Sequence, residues 1–335
     1  MSRMSVLLIV AVIVFVCLQP VQAQKPLQVT VDANSVWIQA GRSPVLQYRY
    51  GDVTFKPYVK ELFTPVGLNL LLDSPSDHVH HRGLMFAVGV DGVNFWEETP
   101  TSGRQSQRGD ATSVMIAAHG GGPGAGFCVT PAWVNAAARQ SELSEVRTIE
   151  VCRAEKLGAT MVTWRSDLAV PKNKQSVTVA GSHYYGLGMR FVRSMDGGEF
   201  FNADGTEGTI FRGEEKLVQS DWCAYTAAVD GKPVTVAMFG HPANLRHPTT
   251  WFMMAKPFAY LSATLALHEK PLTISLGKPL SLRYAVVAWD GRVDKGRVND
   301  AYRWFTNDYS PAIAGGSQMT MGKFQSPEGA EQNGK

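Results

Sequence analysis

Apolar and polar side chains alternate with a period of two along most of this chain, which limits it to a fold rich in β-strands. An extended strand directs successive side chains to opposite faces, so such segments can bury one face each. The predicted strands cover residues 27–31, 53–59, 111–117, 148–152, 160–164, 176–179, 187–192, 224–229, 234–239, 259–267 and 280–289. Two more apolar stretches, 68–72 and 84–90, suggest strands that flank a polar run.

Turn residues separate the predicted strands. Asp-Gly pairs follow apolar runs at 91–92, 230–231 and 290–291, and this pair favours tight hairpins. Helical spacing is confined to 298–305, where one face carries Val298, Ala301, Tyr302 and Phe305. Many strands, frequent turns and one helix predict an all-β chain: a large antiparallel β-sandwich with one short C-terminal helix.

The N-terminus predicts export. Residues 1–23 have a weakly positive start, an apolar core at 6–18, and small residues before a cleavage site after Ala23. We expect a signal peptide at 1–23, a single β-sandwich domain at 24–307 and a disordered tail at 308–335, which is polar and rich in glycine. Cleavage would leave no transmembrane anchor, so the sequence predicts a periplasmic or extracellular protein.

Charge and cysteine content exclude two classes of protein. Loss of Arg3 with the signal lowers the formal net charge from +3 to +2, and no basic run remains to bind nucleic acid. Cys128, Cys152 and Cys223 stay in the mature chain. An odd number cannot form a disulfide framework, and no pair has the spacing of a zinc site. One disulfide is possible, but the sequence does not indicate which pair would form it.

Residues 77–83, Asp-His-Val-His-His-Arg-Gly, concentrate groups that can carry chemistry, and Phe-Trp-Glu-Glu follows at 95–98. In an extended segment His78 and His80 would point one way and His81 the other. Imidazoles are well suited to proton transfer near neutral pH, and a neighbouring arginine can hold an anionic or hydroxyl-rich ligand. This cluster therefore predicts a functional site.

Segments 182–193 and 240–251, with Tyr58, supply further histidines, arginines and aromatic rings. The predicted catalytic residues are His80, His81, His183, Glu97 and Asp77. The predicted substrate-binding residues are Tyr58, His78, Arg82, Trp96, Arg190, Arg193, His241, Asn244, His247 and Trp251. The two tryptophans could instead be core residues, and the arginines at 190 and 193 could instead form structural ion pairs.

Several motifs resemble the PmoA-like family of uncharacterised secreted bacterial proteins. They lie at 56–58, 64–67, 77–84, 94–96 and in the pair 241–244 and 247–248, within a resemblance that spans about 50–305. The resemblance implies a bacterial secreted protein.

A more distant resemblance is to the galactose-mutarotase-like super-sandwich of sugar epimerases and polysaccharide-degrading enzymes. Residues 183–185 resemble the histidine-x-tyrosine segment that supplies the mutarotase acid, and 77–83 resemble the segment that holds the sugar. The late-strand glutamate that serves as base has no counterpart in a matching motif, since that region offers only Glu269 and Asp290. The resemblance implies sugar chemistry on this sandwich.

These observations lead to one main prediction and two alternatives. We predict a secreted carbohydrate-active enzyme, an epimerase, isomerase or lyase, that performs acid/base chemistry on a sugar or a uronate-containing glycan fragment. It would need no cofactor, and its partner would be a carbohydrate or another small molecule, not a nucleic acid. The first alternative is a non-catalytic glycan-binding module. The second is a metal-dependent hydrolase or oxygenase that uses His78 and His80 with His183 or His241.

Overall fold

A computed structural model describes residues 25–107, 112–116, 124–153 and 155–308. The predicted signal peptide lies outside the described residues, as does the predicted tail after its first residue. In the described residues, 24 strands precede a single α-helix near the C-terminus.

The first half of the chain contains strands β1 Leu27–Val31, β2 Ser35–Ala40, β3 Ser43–Arg49, β4 Tyr58–Leu62, β5 Leu84–Ala87, β6 Gly89–Val90, β7 Val93–Asn94, β8 Arg104–Gln107, β9 Thr112–Ile116, β10 Gly124–Val129, β11 Pro131–Asn135 and β12 Gln140–Cys152. The second half contains β13 Ala159–Ala169, β14 Ser176–Ala180, β15 Gly186–Arg190, β16 Glu199–Asn202, β17 Thr209–Arg212, β18 Glu215–Ser220, β19 Trp222–Val229, β20 Lys232–Gly240, β21 Thr249–Met254, β22 Tyr260–Thr264, β23 Leu272–Ser275 and β24 Leu280–Asp290. Helix α1 Lys295–Arg303 follows, and it continues into a π-helical turn at Trp304–Asp308.

These strands form three antiparallel sheets. The first sheet has the order β1-β2-β3-β4-β5-β15-β22-β21-β18-β17. The second has the order β16-β19-β20-β24-β13-β12-β10-β9, and β11 and β8 extend it from β12. A small third sheet has the order β23-β14-β6-β7. The prediction of a large antiparallel β-sandwich with one short C-terminal helix is confirmed.

One continuous apolar core lies between the first and second sheets. Tyr48 on β3 contacts Phe127 on β10, with ring centroids 5.0 Å apart, and Phe86 on β5 contacts Trp133 on β11 at 5.9 Å. Aromatic side chains of this size bury large apolar areas, so these contacts hold the two sheets face to face.

The C-terminal helix covers the outer face of the second sheet. Val298, Ala301 and Phe305 are buried there in a second apolar cluster that includes Val287 and Trp289 of β24. The predicted helical face is therefore confirmed. The helix can pack there because successive residues of β24 point to opposite faces of the second sheet. Val287 and Trp289 face the helix, whereas Val286 points into the main core.

Local chemistry explains where the predicted elements and the structure differ. Asp91-Gly92 and Asp230-Gly231 do form tight hairpins, and all four residues have positive φ, between 48° and 80°. Asp290-Gly291 instead ends β24 before α1. Residues 68–72 form only isolated bridges, because the Asn69 side-chain oxygen accepts from the amides of Leu62 and Leu71 at 3.3 and 3.2 Å.

Two further properties belong to the described part of the chain. No helix there is both long enough and apolar enough to cross a membrane. No disulfide joins Cys128, Cys152 and Cys223.

Candidate active site

The outer face of the first sheet, turned away from the second sheet, carries the candidate site. Leu187 on β15 pairs directly with Phe86 on β5, and Phe86 contacts Trp133 of the second sheet. Directly paired residues point to the same face and neighbours along a strand alternate. Gly188 and Arg190 therefore lie on the outer face.

Two consecutive turns fold the histidine loop, residues 75–81, back on itself. The His78 amide donates to the Pro75 carbonyl at 3.0 Å, and the His81 amide donates to the His78 carbonyl at 2.9 Å. The His78 and His81 rings stack with centroids 4.7 Å apart, and the His80 ring lies 4.7 Å from His81. The prediction that His81 points away from the other two is wrong, because it assumed an extended chain.

A cavity of about 230 Å³ lies beside the histidine loop. Tyr260 on β22 pairs with Arg190 on β15 and with Met254 on β21, so these strands form its floor. Gly188 makes room for the Tyr260 ring, since a Cβ at that position would lie 2.1 Å from the phenol oxygen. The lining residues are His78, His80, His81, Glu97, Tyr184, Arg212, Glu215, Phe252, Met254, Phe258 and Tyr260.

His80 and Glu97 form the first imidazole–carboxylate pair on this cavity, with Nδ1 and Oε2 3.2 Å apart. A carboxylate beside Nδ1 attracts a proton there, so this contact favours the neutral ring that is protonated on Nδ1 and keeps the lone pair on Nε2. Burial lowers the pKa of His80 below 6.5, although Glu97 acts in the opposite direction. At pH 7 His80 is therefore a neutral imidazole with a basic Nε2.

Glu215 carries the second pair. Its Oε2 accepts from Nε2 of His183 at 2.9 Å, and its Oε1 accepts from Arg212 at 2.7 Å. Nδ1 of His183 lies 3.1 Å from the Ser182 hydroxyl, so both ring nitrogens are engaged. Burial lowers the pKa of His183, although Glu215 opposes this. Because Glu215, not His183, lines the cavity, the predicted catalytic histidine orients a carboxylate that can face a ligand.

His81 differs from the other histidines because a cation lies beside it. Its Nδ1 is 3.4 Å from Nη1 of Arg190, and a guanidinium can only donate, so the ring proton is on Nε2. Burial and the nearby His80, His78 and Arg190 lower the pKa of His81 to about 2. The prediction of a proton-transfer role for His81 is therefore not favoured. This ring is a neutral donor of a hydrogen bond.

Asp77 holds that arginine in place. Nη2 of Arg190 donates to Asp77 at 3.0 Å, and the guanidinium carbon lies 3.7 Å from the centroid of the Phe258 ring. Exposed Arg193 also reaches Asp77, at 3.4 Å. Partial burial would raise the pKa of Asp77, but hydrogen bonds from His78 and Arg190 hold it at about 2. Asp77, Arg190 and Arg193 thus support the cavity without lining it.

Tyr184 lies between the two imidazole–carboxylate pairs. Its ring is 5.0 Å from His183, and it lines the cavity with Glu97 and Glu215. Burial raises the pKa of Tyr184, and both carboxylates raise it further. The two pairs therefore act on one common space.

Tyr58 and Arg82 occupy a separate, polar cavity of about 130 Å³. Arg82 Nη2 donates to Glu98 at 2.6 Å, and the Tyr58 hydroxyl donates to Asp73 at 2.9 Å. Buried Lys56 also donates to Glu98, at 3.0 Å. These two predicted residues are placed beside the histidine loop but outside the candidate site.

Trp96 and Trp251 are fully buried, so the prediction that they offer a ring face to a ligand is wrong. Trp96 stacks on Tyr185 with the planes 10° apart and the centroids 5.1 Å apart. The Trp251 indole donates to the Ser220 carbonyl at 2.8 Å. Both belong to the core, the alternative that the sequence left open.

His241, Asn244 and His247 do not line the cavity. The His241 amide donates to the Arg283 carbonyl at 3.1 Å, and the Asn244 side chain bonds both backbone groups of Arg283 at 2.7 Å. His247 lies 3.1 Å from Asp221. His241 and Asn244 thus fix an irregular loop to β24, and His247 ties the same loop to Asp221, between β18 and β19.

Seven residues that line the cavity were not among the predicted site residues: Tyr184, Arg212, Glu215, Phe252, Met254, Phe258 and Tyr260. Glu215 and Arg212 flank the turn of the hairpin β17–β18. The glycine at 213, in a polar run between short apolar stretches, was the available signal for that turn.

The three-histidine metal centre predicted as an alternative is not assembled. His183 lies behind Glu215, and His241 belongs to the loop at β24, so neither joins His78 and His80. Among the described residues, no group of three or more His, Cys, Asp or Glu side chains is arranged to hold a metal ion.

Comparisons with known proteins add a family and several distant structural likenesses. A family model described as "Family of unknown function (DUF6807)" matches residues 35–303. No curated protein sequence matches the chain.

Among solved structures, the alpha-galactosidase from Lactobacillus brevis is similar with a TM-score of 0.46 and 5% identity over 83% of this chain and 41% of that one. The GH36 alpha-galactosidase from Geobacillus stearothermophilus gives 0.40 and 10% over 79% and 41%. A TPR-domain containing protein from Parabacteroides distasonis gives 0.33 and 10% over 88% and 57%. The chain therefore spans about two fifths of the galactosidase chains that it matches.

Proposed function

The chain belongs to DUF6807, a family of unknown function, and from the cavity itself we propose that the protein is a carbohydrate-active enzyme that transfers protons on a small sugar. One observation carries the proposal: two imidazole–carboxylate pairs, His80–Glu97 and His183–Glu215, meet at one small cavity. Titratable groups arranged in this way are what acid/base catalysis requires.

The two pairs supply complementary chemistry. Nε2 of neutral His80 accepts a proton from a ligand hydroxyl or from an acidic carbon, and Glu97 stabilises the imidazolium that forms. Glu215, oriented by His183 and Arg212, exchanges a proton at a second position of the same ligand. A well-placed general acid or base contributes about 10²–10⁴-fold to the rate.

The floor and size of the cavity favour a sugar ring. Phe252, Phe258 and Tyr260 are buried and give the cavity an apolar floor of small exposed area, which suits the C–H face of one ring, and the imidazoles and carboxylates can bond hydroxyls. At about 230 Å³ the cavity is smaller than the roughly 300–1,000 Å³ typical of drug-sized sites. A single ring, free or at the end of a glycan, matches this volume. The reactions that fit are ring opening, epimerisation and elimination.

Two features of the sequence remain part of this proposal. Residues 1–23 would export the protein to the periplasm or beyond. The motifs that resemble those of the PmoA-like family and of super-sandwich enzymes, at 77–84 and 183–185, contain residues of the cavity or its immediate support.

The experiment that tests this proposal is ¹H NMR of a panel of sugars in D₂O, which records anomer exchange, epimers, carbon-bound deuterium and elimination products in one spectrum. The wild type should turn over at least one sugar, and His80→Gln and Glu215→Gln should each lose about 10²–10⁴-fold in rate. His241→Gln, outside the cavity, is the matched control and should keep the wild-type rate. Binding of a sugar without any product would favour the glycan-binding module instead.

A further inference from the structure

The charges on the cavity wall indicate which class of sugar fits. We infer that the site selects uncharged sugars over acidic ones such as uronates. This inference rests on the proposed function and deepens it, because the sequence alone left neutral and uronate-containing substrates equally open.

Carboxylates outnumber cations on the cavity wall. Glu97 and Glu215 both line it, and among the described lining residues Arg212 is the one lysine or arginine. Arg212 donates to Glu215 at 2.7 Å, and its side chain is 70% exposed. A ligand carboxylate would therefore compete with Glu215 for a solvated cation, which weakens any gain.

The three lining histidines do not add a free cation to this balance, and His78 is already paired with the Asp77 carboxylate, at 3.2 Å. Burial keeps the pKa of His80 below 6.5 and lowers that of His81 to about 2, so both rings are uncharged at pH 7. His81 can still donate through Nε2, which suits a hydroxyl oxygen. The wall thus carries acceptors and neutral donors, the partners that a polyhydroxylated ring uses.

The other cations near the histidine loop are neutralised behind the wall. Buried Arg190 is held by Asp77 at 3.0 Å, and Arg82 and buried Lys56 both bind Glu98, at 2.6 and 3.0 Å. None of these three lines the cavity. Arg193 also contacts Asp77, at 3.4 Å, and does not line the cavity, so the three arginines predicted to hold an anionic ligand all contact protein carboxylates instead.

A uronate would bring a third carboxylate next to Glu97 and Glu215 in a partly desolvated space. Carboxylates held within one small cavity repel each other, and placing like charges side by side is a recognised means of excluding a wrong ligand. We expect the uronate to bind at least about tenfold more weakly than the hexose of the same stereochemistry, since a tenfold change needs only about 1.4 kcal/mol.

Matched pairs of sugars test this directly: glucose with glucuronate, galactose with galacturonate, and mannose with mannuronate. Calorimetry at low salt should show preference for the neutral member, and Glu97→Gln should reduce the ratio. Asp300→Asn removes the same charge from α1, on the far side of the second sheet, and should leave the ratio unchanged. Salt should reduce the ratio in the wild type, because screening weakens the repulsion.

Each outcome decides between the two proposals. A uronate that binds as tightly as its neutral partner, or more tightly, overturns the selectivity, and the proposed function stands if that uronate is turned over. If no member of any pair binds or reacts, the proposed function falls and the selectivity with it.

Discussion

Arg190 and His81 lie side by side on the outer face of the first sheet, with Nη1 of the guanidinium 3.4 Å from Nδ1 of the imidazole. A guanidinium has no acceptor, so this contact allows only the His81 tautomer that is protonated on Nε2. Asp77, in the histidine loop, holds Arg190 in place and therefore influences the tautomer of His81 indirectly. Arg190 and His81 are 109 residues apart in the sequence, and the fold brings them together.

The first prediction concerns this tautomer. ¹⁵N NMR of labelled protein should show Nδ1 of His81 unprotonated and Nε2 protonated from pH 8 to pH 5, because its pKa is about 2. Arg190→Met should raise the pKa of His81 by removing a neighbouring cation. Asp77→Asn, a milder change at a partly exposed site, should broaden or shift the ring ¹⁵N resonances of His81, while those of His241 should stay unchanged. A ring protonated on Nδ1 in the wild type would contradict the assignment.

The second prediction concerns stability against acid. An unfolded histidine takes up a proton near pH 6.5, whereas folded His81 does so only near pH 2. Between these values the unfolded state binds more protons, so the free energy of unfolding falls as the pH falls, by up to about 1.4 kcal/mol per pH unit from this group. Urea unfolding at pH 7, 6 and 5 should show this slope, and His81→Gln should flatten it. His268→Gln serves as the control, and equal slopes in all three proteins would count against a neutral buried His81.

The third prediction concerns activity against pH. Burial holds the pKa of His80 below 6.5 and Glu97 raises it, so kcat/KM should lose activity on the acid side only below pH 6.5. Glu97→Gln removes the raising influence and should move this acid limb to lower pH, with a lower maximal rate. The pH profile of the variant is the measurement. An acid limb that stays in place or moves towards neutral pH would show that Glu97 does not raise the pKa of His80.

The fourth prediction concerns a buried ion pair that ties the sheets together. Arg147 and Glu145 are both buried on β12, 2.8 Å apart, and Arg147 also donates to the Tyr48 hydroxyl of the first sheet at 3.0 Å. Arg147→Met leaves a buried carboxylate without its partner and should lower the free energy of unfolding by about 3–5 kcal/mol. The double variant with Glu145→Leu should recover part of this loss. A single variant within 1 kcal/mol of the wild type on urea unfolding would be inconsistent with this role.

Alternation predicted much of the fold because the sheets bury one face of most strands. Strand 27–31 was predicted to the residue. The observed strands β14 and β20 are longer than the predicted 176–179 and 234–239 by one and three residues. Hairpin β17–β18 was missed because β17 is exposed throughout and has no buried face to impose a pattern. Because this hairpin was not predicted, Glu215 was not among the predicted site residues.

The site itself was only partly predictable. Clustering identified the histidine loop and Glu97, which do line one cavity. It could not distinguish an arginine that faces a ligand from one held by a carboxylate, and Asp77 makes Arg190 the second kind. Trp96 shows the same limit, because a tryptophan next to charged residues can still have no exposed surface.

The most direct test of the account is a double-mutant comparison of turnover on the sugar found to react, using His80→Gln, Glu215→Gln and the two together. If both groups transfer protons on one ligand, each single variant should lose about 10²–10⁴-fold, and the double variant should lose far less than the product of the two. Wild-type turnover in either single variant, with the fold intact, would contradict the proposed chemistry at this cavity.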